Sequence, residues 1–136
     1  GRIEDLRDAA EVLRGKRVSE GVVLKIVPAT DRVWQQCLEE GLLEVFKESG
    51  ALISNAGCAG CASGQIGMTG AGEVQLSTGN RNFPGKQGKG DTYLVSPASA
   101  ALAASWPARR RRSSARSRRC WRSCRRCRRP TAPASP

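Results

Sequence analysis

Apolar positions along the first hundred residues recur at two different periods. From Ile3 to Arg14, the residues Ile3, Leu6, Ala9, Ala10 and Leu13 return at helical spacing between Asp5, Asp8 and Glu11, and Gly15 ends the pattern. This predicts an amphipathic helix. Lys16 to Glu20 turns the chain. Val22-Val23-Leu24-Lys25-Ile26-Val27 is β-branched and almost wholly apolar up to Pro28, which is the composition of a strand covered on both faces. Thr30 or Asp31 can cap a second helix reaching about Glu40, with Val33, Trp34, Cys37 and Leu38 as its apolar stripe. Cys37 on that stripe reads as a core residue, because an unpaired cysteine packs as a small hydrophobe. Leu42 to Lys47 predicts a short third helix before Gly50, and Ala51 to Ser54 a short strand.

Farther on, Val74 to Ser77 and Thr92 to Val95 predict two more strands, and Ser96-Pro97 opens an Ala-rich helix with serine as cap and proline at the first helical position. The alternation of strand and helix argues an α/β class, layered, with a small, mostly parallel sheet and flanking helices. In such layers sites gather at the carboxyl ends of strands, and the chain between Ile53 and Cys58 leaves one such end. Apolar periodicity stops near Trp106-Pro107. From Ala108 the chain is Arg, Ser, Cys, Ala and Pro without aliphatic spacing, which predicts a folded body over residues 1–106 and a disordered tail over 107–136.

Charge sharpens that division. The 136 residues carry a net charge of +11, but twelve arginines fall between Arg109 and Arg129, leaving 11 basic against 12 acidic residues elsewhere. The body is nearly neutral, so nucleic acid is expected as a partner only non-specifically, through the tail, in a salt-dependent and sequence-blind way; a non-catalytic fragment that binds nucleic acid through this tail is one alternative reading of the chain. An Arg, Ala, Ser and Pro mixture of this kind is what GC-rich coding sequence gives when read out of frame. Cys120, Cys124 and Cys127 share the spacing of the cluster loop of radical S-adenosylmethionine enzymes, but only nine residues follow them where those enzymes have most of a barrel. No apolar run is long enough to span a bilayer and no signal peptide opens the chain, so no membrane partner is expected and the reading is cytoplasmic, with thiols kept reduced.

The stretch from Gly57 to Gly90 has the composition of a site. Cys58-Ala59-Gly60-Cys61 sets two thiols two residues apart on a backbone that glycine lets turn tightly. That spacing fits an iron-sulfur ligand pair, a redox dithiol, half a zinc site, or unligated cysteines. The chain has no histidine, and no second Cys-x-x-Cys precedes the tail, which weighs against a complete zinc site. Asn80-Arg81-Asn82 and Lys86 then place two cations and two amides on a loop punctuated by Gly79, Pro84, Gly85 and Gly88. A guanidinium grips a carboxylate with two bonds, an ammonium with a point charge. Standing alone, such a loop reads as a solvated basic turn; beside a thiol pair, as an anion site.

Taken together, Gly57-Cys58-Ala59-Gly60-Cys61, Ser77-Thr78-Gly79-Asn80-Arg81-Asn82-Phe83-Pro84-Gly85-Lys86-Gln87-Gly88 and Tyr93-Leu94-Val95-Ser96-Pro97-Ala98 resemble the large subunits of the 3-isopropylmalate dehydratases, a branch of the aconitase superfamily. Gly1-Arg2-Ile3-Glu4-Asp5-Leu6-Arg7 is similar to the segment that follows that family's Ser-Cys-Thr-Asn motif. The resemblance runs collinearly from Gly1 to about Ser105. It implies a hydro-lyase that interconverts 2-isopropylmalate and 3-isopropylmalate in leucine biosynthesis, or a relative acting on homoaconitate or dimethylmalate, with a small hydroxy-dicarboxylate as substrate. It implies a 4Fe-4S cluster with Cys58 and Cys61 as two of three protein ligands, the third expected upstream of Gly1. Asn80, Arg81 and Lys86 are implied as substrate-binding, turned toward Cys58 and Cys61. Lys86 stands where many relatives carry arginine, which implies a single-point contact there. The serine that handles the carbon proton lies in the family on a swivelling domain or small subunit, so no catalytic residue is expected in this chain and the fragment alone is expected to be inactive. As part of a larger domain, it is also expected to leave apolar surface of the Ile3 to Leu13 helix uncovered.

Overall fold

A computed structural model describes residues 1–107. The expectations for the arginine-rich tail, including Cys120, Cys124 and Cys127, lie outside the described residues. Four helices and four short strands follow one another as α1 (Ile3–Leu13), β1 (Lys25–Ile26), α2 (Asp31–Glu39), α3 (Leu42–Ser49), β2 (Leu52–Ile53), β3 (Val74–Ser77), β4 (Asp91–Leu94) and α4 (Pro97–Ser105). The class is α/β, as the alternation predicts.

Local chemistry sets most of these ends. Asp5 accepts from the backbone N–H of Arg2 at 3.0 Å and opens α1. The hydroxyl of Thr30 accepts from Val33 N to start α2, and that of Ser96 accepts from Ser99 N to start α4; such caps satisfy backbone donors that a helix leaves unpaired. Gly50, at φ 86°, closes α3 in the left-handed conformation that glycine adopts without a steric cost.

The core lies where α1 meets α4, α3 and α2. Ile3, Leu6, Ala9, Ala10 and Leu13 are all buried there, with Phe46 and Cys37 fully enclosed beside them. The expected uncovered stripe on α1 is therefore absent. Its cover is α4, whose Ala101 and Ala104 are buried and small enough for the two helices to come close. Apolar side chains are exposed elsewhere, among them Val74, Leu76, Tyr93 and Leu94 on β3 and β4 and Leu102 on α4.

The sheet is in two pieces, each of two parallel strands: β1 with β2, pairing Lys25 with Leu52 and Ile26 with Ile53, and β3 with β4, pairing Val74 with Asp91 through Ser77 with Leu94. The predicted strand over Val22 to Val27 shortens to two residues, and Val22 and Val23 are exposed. The physical reason is that, among the described residues, β1 has one neighbour rather than two. Ile26 is buried and Leu24 packs against the core, so only alternate side chains face inward. Leu38 likewise leaves its predicted stripe and is exposed, whereas Cys37 is fully buried as expected.

Candidate functional site

Both loops singled out in the sequence leave the carboxyl ends of parallel strands. The cysteine loop follows β2 and is tied to the end of the neighbouring strand segment, because Gly57 N donates to Pro28 O at 2.9 Å. The Arg81 loop follows β3 directly after Ser77.

Within the first loop, Cys61 N donates to Cys58 O at 3.2 Å and Ala59 sits at φ 53°, a left-handed turn forced on a residue with a Cβ. The turn brings Cys58 and Cys61 to a Cα separation of 5.4 Å, close enough for the two sulfurs to bond to each other or to share a partner. The same convergence that permits a disulfide presents two thiolates to one soft metal when the pair is reduced. Cys58 is exposed and Cys61 half-buried, so the pair is reachable from outside. Among the described residues, no group of three or more Cys, His, Asp or Glu side chains is placed to hold a metal. The donor set therefore fits part of a cluster's ligand shell, two soft thiolates, and is short of a complete one.

The back of the cysteine loop is packed without slack. A Cβ built on Gly60 would meet Gln87 Cγ and Gly67 O, each at 3.0 Å. Gly67 in turn receives a hydrogen bond on its carbonyl from Gln75 Nε2 at 3.1 Å, which anchors it to β3.

The second loop is held from inside by Gln87, only 5% exposed. Its Nε2 donates to the carbonyl of Arg81 at 3.0 Å, and its own carbonyl accepts from both the N–H and the hydroxyl of Thr69 at 2.8 Å. Thr69 also receives Gly90 N on its hydroxyl and Lys89 N on its carbonyl, so one threonine pins the whole 87–90 segment. The loop's polar side chains differ in exposure. Asn80 and Arg81 are exposed, Asn82 and Lys86 half-buried, and the Lys86 ammonium lies 5.9 Å from the centroid of the Phe83 ring. Among the described residues, no side-chain hydrogen bond or ion pair occupies the Arg81 guanidinium. An open cleft of about 810 Å³ runs beside the loop, lined by Asn82, Phe83, Gln87, Lys89 and Tyr93 among others.

The two loops meet through Gln87, whose stem lies on Gly60 while its amide holds Arg81. Cys58-x-x-Cys61 and Asn80-Arg81 could be read as motifs, but Gln87, Thr69 and Gly67 were missed. Their role comes from burial and from contacts across many residues, and the one available signal was an amide set inside the glycine-rich Lys86 to Gly88 turn.

Comparison at the family level matches residues 1–106 to the aconitase family (aconitate hydratase). The chain belongs to the aconitase family. Its curated relatives include the 3-isopropylmalate dehydratase large subunit of Desulfovibrio desulfuricans, 49% identical over 106 residues that cover 76% of this chain and 25% of that protein. The probable 3-isopropylmalate dehydratase large subunit of Methanothermobacter thermautotrophicus and 3-isopropylmalate dehydratase large subunit 1 of Archaeoglobus fulgidus are each 47% identical over the same shares. The chain thus spans about a quarter of the length of the curated relatives it matches. Among the described residues, no helix is long and apolar enough to cross a membrane.

Proposed function

We propose that this aconitase-family chain is part of a hydro-lyase large subunit that interconverts 2-isopropylmalate and 3-isopropylmalate by dehydration and rehydration, a cytoplasmic step of leucine biosynthesis. The observation that carries the reading is the seating of the Cys58-Cys61 turn and the Arg81 loop against one buried side chain, at the carboxyl ends of β2 and β3. The names of the relatives support this substrate class. Their designation as large subunits supports a small subunit as partner.

In this reading the Cys58 and Cys61 thiolates hold part of a 4Fe-4S cluster, and a third thiolate comes from outside residues 1–107. Such a cluster, when bound, supplies a Lewis-acidic iron that makes hydroxide a better leaving group. The residues of this chain bind and orient. The Arg81 guanidinium takes a substrate carboxylate with two parallel hydrogen bonds, and the Asn80 amide adds a neutral donor beside it. Lys86 supplies a single positive charge, steadied by the Phe83 ring. The proton on carbon is handled by a group on the small subunit. Residues 1–107 alone are accordingly inactive.

A chimera tests the proposal. Residues 1–106 replace the matching quarter of the Desulfovibrio desulfuricans large subunit, and the product is purified without oxygen together with its small subunit. Isomerisation of 2-isopropylmalate that is lost on Cys58→Ser supports the reading. A folded, cluster-loaded chimera with no activity on 2-isopropylmalate, homoaconitate or dimethylmalate overturns it, and activity confined to either of the last two moves the substrate to a sister branch.

A further inference from the structure

Gln87 is a costly residue for its place. It is 5% exposed, its Nε2 makes one hydrogen bond, and its Oε1 is buried with no partner among the described residues. An unpaired buried carbonyl loses the water it bonded when unfolded, so a methionine would fill the same space without that cost. What a methionine could not do is hold the Arg81 carbonyl.

The side chain is clasped between the two loops. Its Cγ lies 3.0 Å from where a Cβ on Gly60 would stand, and its Nε2 lies 3.2 Å from where a Cβ on Gly79 would stand. Only backbones without side chains let it approach both loops this closely. Its main chain cannot give way, because Thr69 holds the Gln87 carbonyl through two hydrogen bonds. A displacement of Gly60 therefore presses on a stem fixed at its base, and the amide at its tip is bonded to Arg81.

We propose that Gln87 is a positioning residue that couples the state of the Cys58-Cys61 turn to the placement of Arg81. Its bearing on catalysis rests on the dehydratase reading given above; the coupling itself does not. Making or breaking bonds at the two sulfurs changes the turn at Gly60, and Gln87 converts that change into a movement of the Arg81 backbone. The cation is thereby set for a carboxylate only when the cysteine turn has its ligand-holding shape.

The full chain, with Cys120, Cys124 and Cys127 changed to serine, is suited to a test by nuclear magnetic resonance. Oxidising the Cys58-Cys61 pair to its disulfide with diamide and then reducing it with a phosphine should move the backbone amide signals of Gly60 and of Arg81 and Asn82 together. In Gln87→Met, Gly60 should still respond and Arg81 should not. Gln87→Glu keeps the shape but replaces the donor with an acceptor, so it should behave like Gln87→Met if the hydrogen bond carries the coupling. Arg81 signals that follow reduction equally in these variants, or that fail to follow it in the parent, overturn the proposal. If either variant loses the α1 signals and does not fold, the parent still decides. Scalar coupling across the hydrogen bond from Gln87 Nε2 to the Arg81 carbonyl carbon is expected there, and its absence refutes the clasp. Failure of the chimera assay would leave these outcomes unchanged, so the two readings fail separately.

Discussion

Gly67 lies against Gly60 with no room for a methyl group between them: a Cβ on Gly67 would stand 2.5 Å from Gly60 N and 2.7 Å from the carbonyl carbon of Ala59. The obstacles are backbone atoms of the cysteine turn, which cannot swing aside as a side chain end can. Gly67→Ala should therefore displace the turn at a cost of about 1–3 kcal/mol, the usual range for overpacking. Gly57→Ala is the control, since nothing lies within 4 Å of the added carbon. Urea unfolding of the two variants checks the difference, and equal midpoints would show that the turn is looser than its packing indicates.

A second relationship ties α1 to the end of α2. Arg7 donates from Nε to Glu40 Oε2 at 2.8 Å and from Nη2 to Glu40 Oε1 at 2.6 Å, a two-pronged ion pair on the surface. Hydrogen bonding to Arg7 is the main cause that holds the Glu40 carboxyl below its ordinary range. A depressed carboxyl contributes stability above the ordinary glutamate value of about 4.3 and loses it as the pH falls through the lower folded value. Glu40→Gln should thus be slightly less stable than the parent at pH 7, with the gap closing on acidification and in high salt, as for any exposed pair. Thermal melts at pH 7 and pH 3 check this. A gap that stays constant with pH would place the effect in packing rather than charge.

Cys37 gives a third prediction. It is fully buried on the core side of α2, and burial pushes its thiol up from the ordinary cysteine value. A thiol that is both enclosed and protonated reacts slowly, so iodoacetamide at pH 8 should leave Cys37 unmodified in the native chain and alkylate it in urea. Cys37→Ser should cost roughly 1–3 kcal/mol, because the hydroxyl enters an apolar site with no partner to replace water. Peptide mapping after alkylation reads the first outcome and urea titration the second. Modification of Cys37 at the rate of a free thiol in the folded chain would contradict its burial.

These relationships differ in how far the sequence disclosed them. The helices were legible because their information is local: the stripe from Ile3 to Leu13, the caps at Thr30 and Ser96, and Gly50 after α3 all act within a turn or two. The strand over Val22 to Val27 is shorter than its pattern predicts because an apolar run reports the number of covered faces only when the strand has neighbours, and among the described residues β1 pairs with β2 alone. The covered state of α1 depended on α4, nearly ninety residues later, which no pattern within α1 encodes. At the site, Cys58, Cys61, Asn80 and Arg81 stood out as residue types suited to a ligand. Gln87 did not, because its part is defined by a glycine on each side and by Thr69, eighteen residues earlier.

The proposed function depends on a carboxylate contact at Arg81. Arg81 is exposed, its guanidinium is unoccupied among the described residues, and its backbone is held by Gln87, so its charge is available from a fixed base. Lys86 differs in being turned over Phe83, and Lys89 is exposed at the far end of the segment that Thr69 pins. A dicarboxylate bound at one end by metal still needs its other carboxylate oriented, and among these cations only the guanidinium offers two donors in a fixed fork. In the chimera, Arg81→Lys keeps the charge and loses the fork, and should lower kcat/KM by the equivalent of about 1–3 kcal/mol. Lys89→Ala should leave kcat/KM nearly unchanged, and Lys86→Arg should be tolerated because it adds donors without removing charge. Steady-state kinetics on 2-isopropylmalate separates the cases. An enzyme indifferent to Arg81→Lys but crippled by Lys89→Ala would move the carboxylate site to the other end of the loop and leave Arg81 a solvated surface cation.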